Sequence, residues 1–213
     1  MTGKLFLAAF LAGTASVSAQ HYSFTNNTSL LIPDANPNGV FSTIDVSGVP
    51  GTIENLTLSI NLSGGFNGDL YTYLSGDNGG FSVLLNRVGR TSSDPTGYGD
   101  PGMSITFSDS AASDVHLYGG NGGSPLTGTW QPDARNTNPQ LTLDTDPRTA
   151  FLSSFDNRAP NGTYTLFLGD FANESQSMLV SWSIDLDVVP EPTAASLFTL
   201  GLGLFWAIRR RQS

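Results

Sequence analysis

The sequence predicts an all-β fold, a jelly-roll-like antiparallel β-sandwich, and three observations predict it. Apolar and polar residues alternate with a period of two along several segments, as they do in strands with one face in a core. Clusters of Gly, Asn and Pro separate these segments and indicate turns. Only 13% of the 213 residues are charged, while 24 are Gly and 12 are Pro, a composition typical of turn-rich β proteins.

The alternation defines individual strands. Within residues 53–62, apolar side chains occupy every second position from Leu56 to Leu62, and the longest such run is the last one, residues 180–188. Further alternating sets are Phe81, Val83 and Leu85; Met103, Ile105 and Phe107; and Tyr164, Leu166 and Leu168. The spacing predicts about eight antiparallel strands in two sheets. We expect one shared core containing Leu56, Leu58, Ile60, Leu166, Leu168, Trp182 and Ile184. The polar, irregular stretch from residue 136 to 148 is interpreted as a loop excursion, not a second domain.

Charge and cysteine content narrow the function classes. The chain has no Cys, so disulfides and thiolate metal sites are excluded. Between residues 20 and 189 there are fifteen Asp, two Glu and five Arg, a net charge of −12. A body this acidic repels nucleic acid and anionic membrane surfaces. We therefore expect no nucleic-acid partner.

The N-terminus has the features of a secretory signal peptide. Lys4 is followed by an apolar run from Leu5 to Val17, and Val17-Ser18-Ala19 supplies small or tolerated residues before a cleavage site. This order predicts removal of residues 1–19 by signal peptidase, with export across the inner membrane. An uncleaved anchor is the alternative, although the run is short for a membrane span. Residues 20–29 are expected to be an N-terminal extension of the folded body.

The C-terminus carries a three-part tail, residues 189–213. Pro190, Glu191 and Pro192 come first, an apolar stretch follows over residues 193–208, and Arg209, Arg210 and Arg211 stand near the end. Prolines end the preceding strand, the apolar stretch is marginal for a span, and the arginines favour the cytoplasmic side. These features predict a transient transmembrane tether with the folded body outside.

This tail resembles the PEP-CTERM sorting signal of bacterial proteins. The resemblance implies processing by an exosortase and an association with exopolysaccharide production. It also implies a location at the cell envelope, at the cell surface or outside the cell. An ordinary C-terminal membrane anchor is the alternative interpretation of the same residues.

Residues 30–188 resemble the P domain, or Homo B domain, the β-sandwich that follows the catalytic domain of kexin- and furin-like serine proteases. The resembling segments are Ile32-Pro33-Asp34, Gly39, Ser42 to Gly48, Gly68-Asp69-Leu70, Leu84 to Gly89, Ser108 to Ala111, Gly128 to Pro132, Asn161 to Asp170 and Ser181 to Ile184. The 136–148 excursion and Ser177 to Val180 depart from the family pattern. The resemblance implies a non-catalytic accessory domain.

The residues themselves also argue against an enzyme. A Ser-His-Asp site needs an oriented imidazole, and the chain contains only His21 and His116, neither with an orienting partner identifiable from sequence. There is no Gly-x-Ser-x-Gly elbow. Asp residues are too numerous for any pair to indicate a glycosidase.

Two kinds of binding site are predicted. The family resemblance implies Asp34, Asp69, Asp109 and Asp170 as Ca²⁺ ligands. The alternative is that these residues cap turns through their own backbone. Tyr71 and Tyr73 lie on one strand face opposite Leu70 and Leu74 and are candidates for stacking on sugar rings; the alternative is that they pack within the sandwich or cover an edge.

Three functions remain open from the sequence. The first is a non-catalytic, exported protein of the cell surface or extracellular matrix. The second is an accessory P domain acting in trans with a secreted subtilisin- or kexin-like protease. The third is a module that binds extracellular polysaccharide.

Overall fold

A computed structural model of the chain describes residues 18–191 and shows nine strands and three short 3-10 helices. The strands are β1 Gln20–Leu31, β2 Val40–Val46, β3 Thr52–Gly64, β4 Leu70–Gly76, β5 Phe81–Asn86, β6 Met103–Phe107, β7 Leu126–Trp130, β8 Gly162–Asp170 and β9 Ser177–Val189. The 3-10 helices are Asn67–Asp69, Val115–Leu117 and Leu152–Phe155. Between residues 18 and 191, no helix has the length and apolar character needed to cross a bilayer.

The strands form two sheets. One has five strands in the order β1-β9-β3-β6-β7, and the other has four in the order β2-β8-β4-β5. Every pairing is antiparallel except that of β6 with β7, which is parallel. The all-β prediction is confirmed, with nine strands in place of about eight and one parallel pair that the alternation did not predict.

The core lies between the sheets and is built from the inward residues of the alternating runs. All seven residues predicted to share the core belong to one buried cluster. Trp182 on β9 is 1% exposed and donates from Nε1 to Oγ of Ser42 on β2 at 2.8 Å. This hydrogen bond joins the two sheets through the core, because β9 and β2 belong to different sheets.

Three local features differ from the expectation. Residues 20–29 do not form an extension, because β1 pairs with β9 along most of its length. In β5 a register shift places Leu85 opposite Thr72 and Val83 opposite Tyr73, so the alternation breaks. Every residue of β5 after Phe81 is buried, since residues 133–150 pack along this edge. In β9 a similar shift places Leu179, and not Val180, at the buried position.

Candidate functional site

The outer surface of the four-stranded sheet carries an unusual concentration of aromatic rings. Tyr71 and Tyr73 on β4 alternate with the buried residues Leu70, Thr72 and Leu74, so both tyrosines point away from the core. Their neighbours on the same surface come from the other three strands and from the residue after β8. We call this surface the aromatic face; its residues are Phe41, Tyr71, Tyr73, Phe81, Phe167 and Phe171.

Phe167 on β8 lies at the centre of the aromatic face. Its ring is stacked on Tyr73 at a centroid distance of 4.8 Å and an interplanar angle of 17°. Phe41 is 5.1 Å from the Phe167 ring on one side, and Tyr73 is 5.3 Å from Phe81 on the other. Tyr71 extends the set to Phe171 at 5.9 Å. The rings therefore form a continuous strip across all four strands.

Two glycines leave space for the central ring. Gly39 has φ +54°, and a Cβ there would come within 2.7 Å of the Phe167 ring. A Cβ at Gly169 would lie 3.1 Å from the same ring and 3.3 Å from Phe171. Larger residues at either position would displace Phe167, so the backbone itself is adapted to these rings.

The aromatic face has no charged residue, and its only polar side-chain groups are the two tyrosine hydroxyls. Phe41 is 58% exposed, whereas Phe167 is 7% exposed beneath its neighbours. Burial raises the pKa of Tyr71 and of Tyr73, so both phenols are neutral at physiological pH. Neither phenolic oxygen hydrogen-bonds to another described residue. Such rings offer stacking area together with free hydroxyl groups, the combination that aromatic binding surfaces use.

The sequence identified two of these six residues. Tyr71 and Tyr73 share one strand face, as predicted, and that face is the outer one, so they neither enter the core nor merely cover an edge. Phe41, Phe81, Phe167 and Phe171 were missed. The sequence did contain a signal for Phe41 and Phe167. Each is an apolar residue that falls between the inward-facing positions of its strand.

Three of the four predicted calcium ligands lie at one end of the sandwich. Asp69 and Asp170 are buried, just before β4 and at the end of β8, and Asp34 is exposed nearby. Oδ1 of Asp170 accepts from the backbone N–H of Ala172, while Oδ2 is buried without a hydrogen-bond partner. Burial raises the pKa of Asp170 to about 6, and the charges of Asp69 and Asp34 act in the same direction.

Arg87 supplies the positive charge at this end. Its guanidinium lies 3.6 Å from Asp69 and donates from Nε to the carbonyl of Gly68 at 2.6 Å. Burial raises the pKa of Asp69, and Arg87 opposes that effect. One arginine thus faces two buried carboxylates, so the local charge is negative when both are ionised.

Asp109 lies elsewhere. Its carboxylate accepts from the backbone N–H groups of Leu152 and Ser153 at 3.1 and 2.8 Å and so caps the third 3-10 helix. The alternative left open by the sequence was capping of a turn through the residue's own backbone; Asp109 instead caps a helix 43 and 44 residues further along the chain. Among residues 18–191 there is no group of three or more His, Cys, Asp or Glu placed to hold a metal; any cation site at Asp170 would need backbone or amide oxygens as well.

Among residues 18–191, neither histidine is hydrogen-bonded to a serine. His116 is fully buried, with Nδ1 2.7 Å from Asp133 and Nε2 3.0 Å from the carbonyl of Arg90. The orienting partner that sequence reasoning missed is therefore Asp133. Both ring nitrogens of His116 face acceptor oxygens within the protein, so neither is directed at a serine hydroxyl. His21 lies on the exposed surface of β1 beside Asp187.

The sorting motif lies at the limit of the described residues. Pro190 and Glu191 follow β9 directly. Pro192, Arg209, Arg210 and Arg211 lie outside residues 18–191, as do the apolar tail and most of the predicted signal peptide.

Comparisons with known proteins find little sequence or structural similarity. No protein-family model matches the chain, and no curated protein matches it. The crystal structure of the Aeromonas sobria serine protease (ASP) and the chaperone (ORF2) complex contains a chain that is 16% identical, with a TM-score of 0.45. The match covers 81% of this chain and 27% of that chain. A similarity this low supports no conclusion about the fold or function of this chain.

Proposed function

We propose that this chain is a non-catalytic, exported protein of the bacterial cell surface or extracellular matrix, and that it binds polysaccharide on the aromatic face. The observation that carries the proposal is the strip of six rings across all four strands of one sheet. Single exposed aromatics are ordinary on protein surfaces. A continuous uncharged set with outward phenols provides a stacking platform for extended ligands.

Chemistry elsewhere in the molecule supports a binding role over catalysis. The only buried histidine has both ring nitrogens hydrogen-bonded within the protein. The strands of the aromatic face contain no Lys or Arg, so the face offers nothing to attract an acidic ligand. Recognition by stacking is therefore the interaction that this surface supplies best.

The other parts of the proposal rest on the sequence. The predicted signal peptide and the PEP-CTERM-like tail support export, exosortase processing and a location at the envelope. The P/Homo B-like order of segments supports a jelly-roll-like accessory domain. We also propose that Ca²⁺ binds beside Asp34, Asp69 and Asp170. The buried Oδ2 of Asp170, which has no hydrogen-bond partner, supports this site. Asp109 is not a ligand in this proposal, because it caps a 3-10 helix elsewhere, and other oxygen atoms would complete the coordination.

The experiment uses the domain from residue 20 to 189 in affinity electrophoresis through gels containing hydroxyethylcellulose, dextran or alginate. The wild type should be retarded by at least one polysaccharide. The double variant Tyr71→Ala/Tyr73→Ala should be retarded clearly less than the wild type, since truncating a stacking ring at a binding surface costs about 2 kcal/mol or more. Tyr22→Ala, a tyrosine of the other sheet, is the matched control and should migrate as the wild type does.

An accessory role beside a secreted serine protease predicts a different result. The wild type would then bind no polysaccharide, and a subtilisin-like protease from the host medium would be retained on the immobilised domain. Equal retardation of the wild type and the Tyr71→Ala/Tyr73→Ala variant would also refute the aromatic face as the binding site.

A further inference from the structure

The outer surface of the five-stranded sheet has a different chemistry from the aromatic face. Strand pairing places small hydroxyl residues in one row across all five strands. The row is Thr25, Ser183, Ser59, Thr106 and Thr129, on β1, β9, β3, β6 and β7. The next row is Asn27, Ser181, Asn61, Ser104 and Thr127. We call these two rows the hydroxyl face.

The polar groups of the hydroxyl face are almost entirely free of protein partners. Within the described residues, the side chains of Ser59 and Thr106 hydrogen-bond to each other at 2.8 Å, and the other eight side chains make no hydrogen bond to the protein. Because adjacent strands lie about 4.8 Å apart, each row is a regular ladder of donors and acceptors. This array is available to a ligand that carries many hydroxyl groups itself.

The hydroxyl face is also concave. A shallow cavity of about 260 Å³ lies over the middle strands, lined by residues of both rows and by Ile60, Ile105 and Trp182 between them. The side chains in the rows are short, so they leave the floor of the cavity open. A cavity of this size is slightly below the usual range for small-molecule sites, but it is open at the surface and suits a segment of a longer chain.

Charge selects the class of ligand. No charged side chain lines the cavity, and the five strands of this sheet contain no Lys or Arg. The adjacent row carries Asp185, and Asp187 follows beside His21. With a net charge of −12 over the body, an acidic polysaccharide would meet repulsion and no compensating cation.

We infer that the hydroxyl face is a second binding site, for a neutral polysaccharide held by hydrogen bonds to Ser, Thr and Asn side chains. The inference extends the proposed function, since it adds a site on the opposite sheet and names the charge class of the ligand. The two faces point away from each other across the core. One domain therefore holds two chains at once and bridges them.

The test separates the two faces. Binding is measured with hydroxyethylcellulose and dextran as neutral probes and alginate as the acidic probe. The variant Ser59→Ala/Thr106→Val/Ser183→Ala removes three hydroxyls from the first row with little change in shape. The matched control is Ser23→Ala/Thr57→Val, one row further along the same surface. A second assay asks whether protein bound to immobilised hydroxyethylcellulose captures fluorescently labelled dextran or hydroxyethylcellulose.

The expected results are specific to this face. The triple variant should lose about tenfold in affinity at this site, since each hydroxyl contributes a modest hydrogen bond, and should no longer bridge two chains. Tyr71→Ala/Tyr73→Ala should keep the remaining affinity for neutral chains and also lose bridging. The Ser23→Ala/Thr57→Val control should behave as the wild type in both assays.

Other outcomes overturn the inference. Unchanged binding and bridging by the triple variant would remove the hydroxyl face as a site, whatever the aromatic variant does. Alginate binding equal to that of the neutral probes would refute the charge argument. A dimer in sedimentation that the triple variant abolishes would show that a second copy covers this face instead. If Tyr71→Ala/Tyr73→Ala weakens polysaccharide binding and the triple variant does not, the proposed function stands and this inference fails.

Discussion

Nδ1 of His116 lies 2.7 Å from Oδ2 of Asp133, and both side chains are fully buried. Nε2 of the same ring lies 3.0 Å from the carbonyl oxygen of Arg90. Asp133 also accepts from the backbone N–H of Asn86 and from the guanidinium of Arg135, which in turn pairs with Asp114. These hydrogen bonds and ion pairs connect residues 133–135, after β7, to the edge strand β5 and to the second 3-10 helix.

The surroundings of His116 favour its charged form. Burial alone would lower the pKa of His116, but the hydrogen bond and charge of Asp133, with the Arg90 carbonyl, outweigh burial and the nearby charge of Arg135, so the pKa is raised. A raised folded-state pKa of a histidine adds stability that is fully present below the unfolded pKa of about 6.5. That stability is lost as pH rises through the folded pKa.

We therefore expect the free energy of unfolding to fall as pH rises above about 6.5, the unfolded pKa of histidine, because the pKa of His116 is raised in the folded state. Urea unfolding at several pH values measures it. The variant His116→Gln should lose this pH dependence and be destabilised by about 3–5 kcal/mol, the usual cost of breaking a buried charged pair. His21→Ala is the control, since His21 is exposed on β1, and should keep most of the wild-type slope. An undiminished slope in His116→Gln would show that another group titrates.

Trp182 should be the most costly residue to truncate in the core. The substitution Trp182→Ala removes a ring that is 1% exposed and the Nε1–Ser42 hydrogen bond between the sheets. We expect a loss of about 3–5 kcal/mol in the free energy of unfolding, measured by chemical denaturation. Trp130→Ala, at the half-exposed end of the edge strand β7, should cost clearly less. A loss below about 1 kcal/mol for Trp182→Ala would contradict the packing described here.

The sequence predicted the inward faces of the long strands because burial on one side imposes a period of two. β3, β6 and most of β9 follow that pattern, and β8 follows it as far as Leu166, after which every residue of the strand is buried. The pattern fails at β5, where a register shift changes the phase and residues 133–150 cover the outer side as well. Neither cause is local, since both depend on which distant segment lies beside the strand.

Only two of the six residues of the aromatic face were predictable, for the same reason. Tyr71 and Tyr73 are two residues apart on one strand, so their common face follows from the pleat. Phe41 and Phe167 meet because β2 pairs with β8, at positions 126 residues apart in the chain. The His116–Asp133 contact likewise joins a 3-10 helix to a loop. No sequence period links such positions.

Processing of the tail makes a prediction that is independent of the fold. The Pro190-Glu191-Pro192 element, the apolar stretch and the arginine run predict that the mature protein lacks its C-terminus. Mass spectrometry of protein from the host envelope should detect no peptide spanning residues 197–209. Replacing Arg209, Arg210 and Arg211 with Ser should leave unprocessed protein. Recovery of an intact C-terminus from the wild-type envelope fraction would identify the tail as a permanent anchor.

Asp170 provides the test of the proposed cation site. Burial raises its pKa to about 6, above the usual value of about 3.9. For a carboxyl group with a raised folded pKa, the folded state binds the extra proton. Without divalent cations, stability should therefore rise as pH falls from about 7 through 6 toward 4. Thermal melts in EGTA across this range measure the effect.

The variant Asp170→Asn separates a cation site from a merely strained carboxyl group. At pH 7 in EGTA it should melt at a higher temperature than the wild type, because the amide keeps the Ala172 contact and removes an unpaired buried charge, a gain of about 1–3 kcal/mol. In millimolar CaCl₂ the wild type should gain, by about 2.7 kcal/mol if free Ca²⁺ is a hundredfold above Kd, and Asp170→Asn should not. Asp109→Asn, which weakens only a helix cap, should lose stability in both buffers and keep the full response to Ca²⁺. A wild-type melting temperature that is the same in EGTA and CaCl₂ would eliminate the site, and a response that survives Asp170→Asn would move it away from this end of the sandwich.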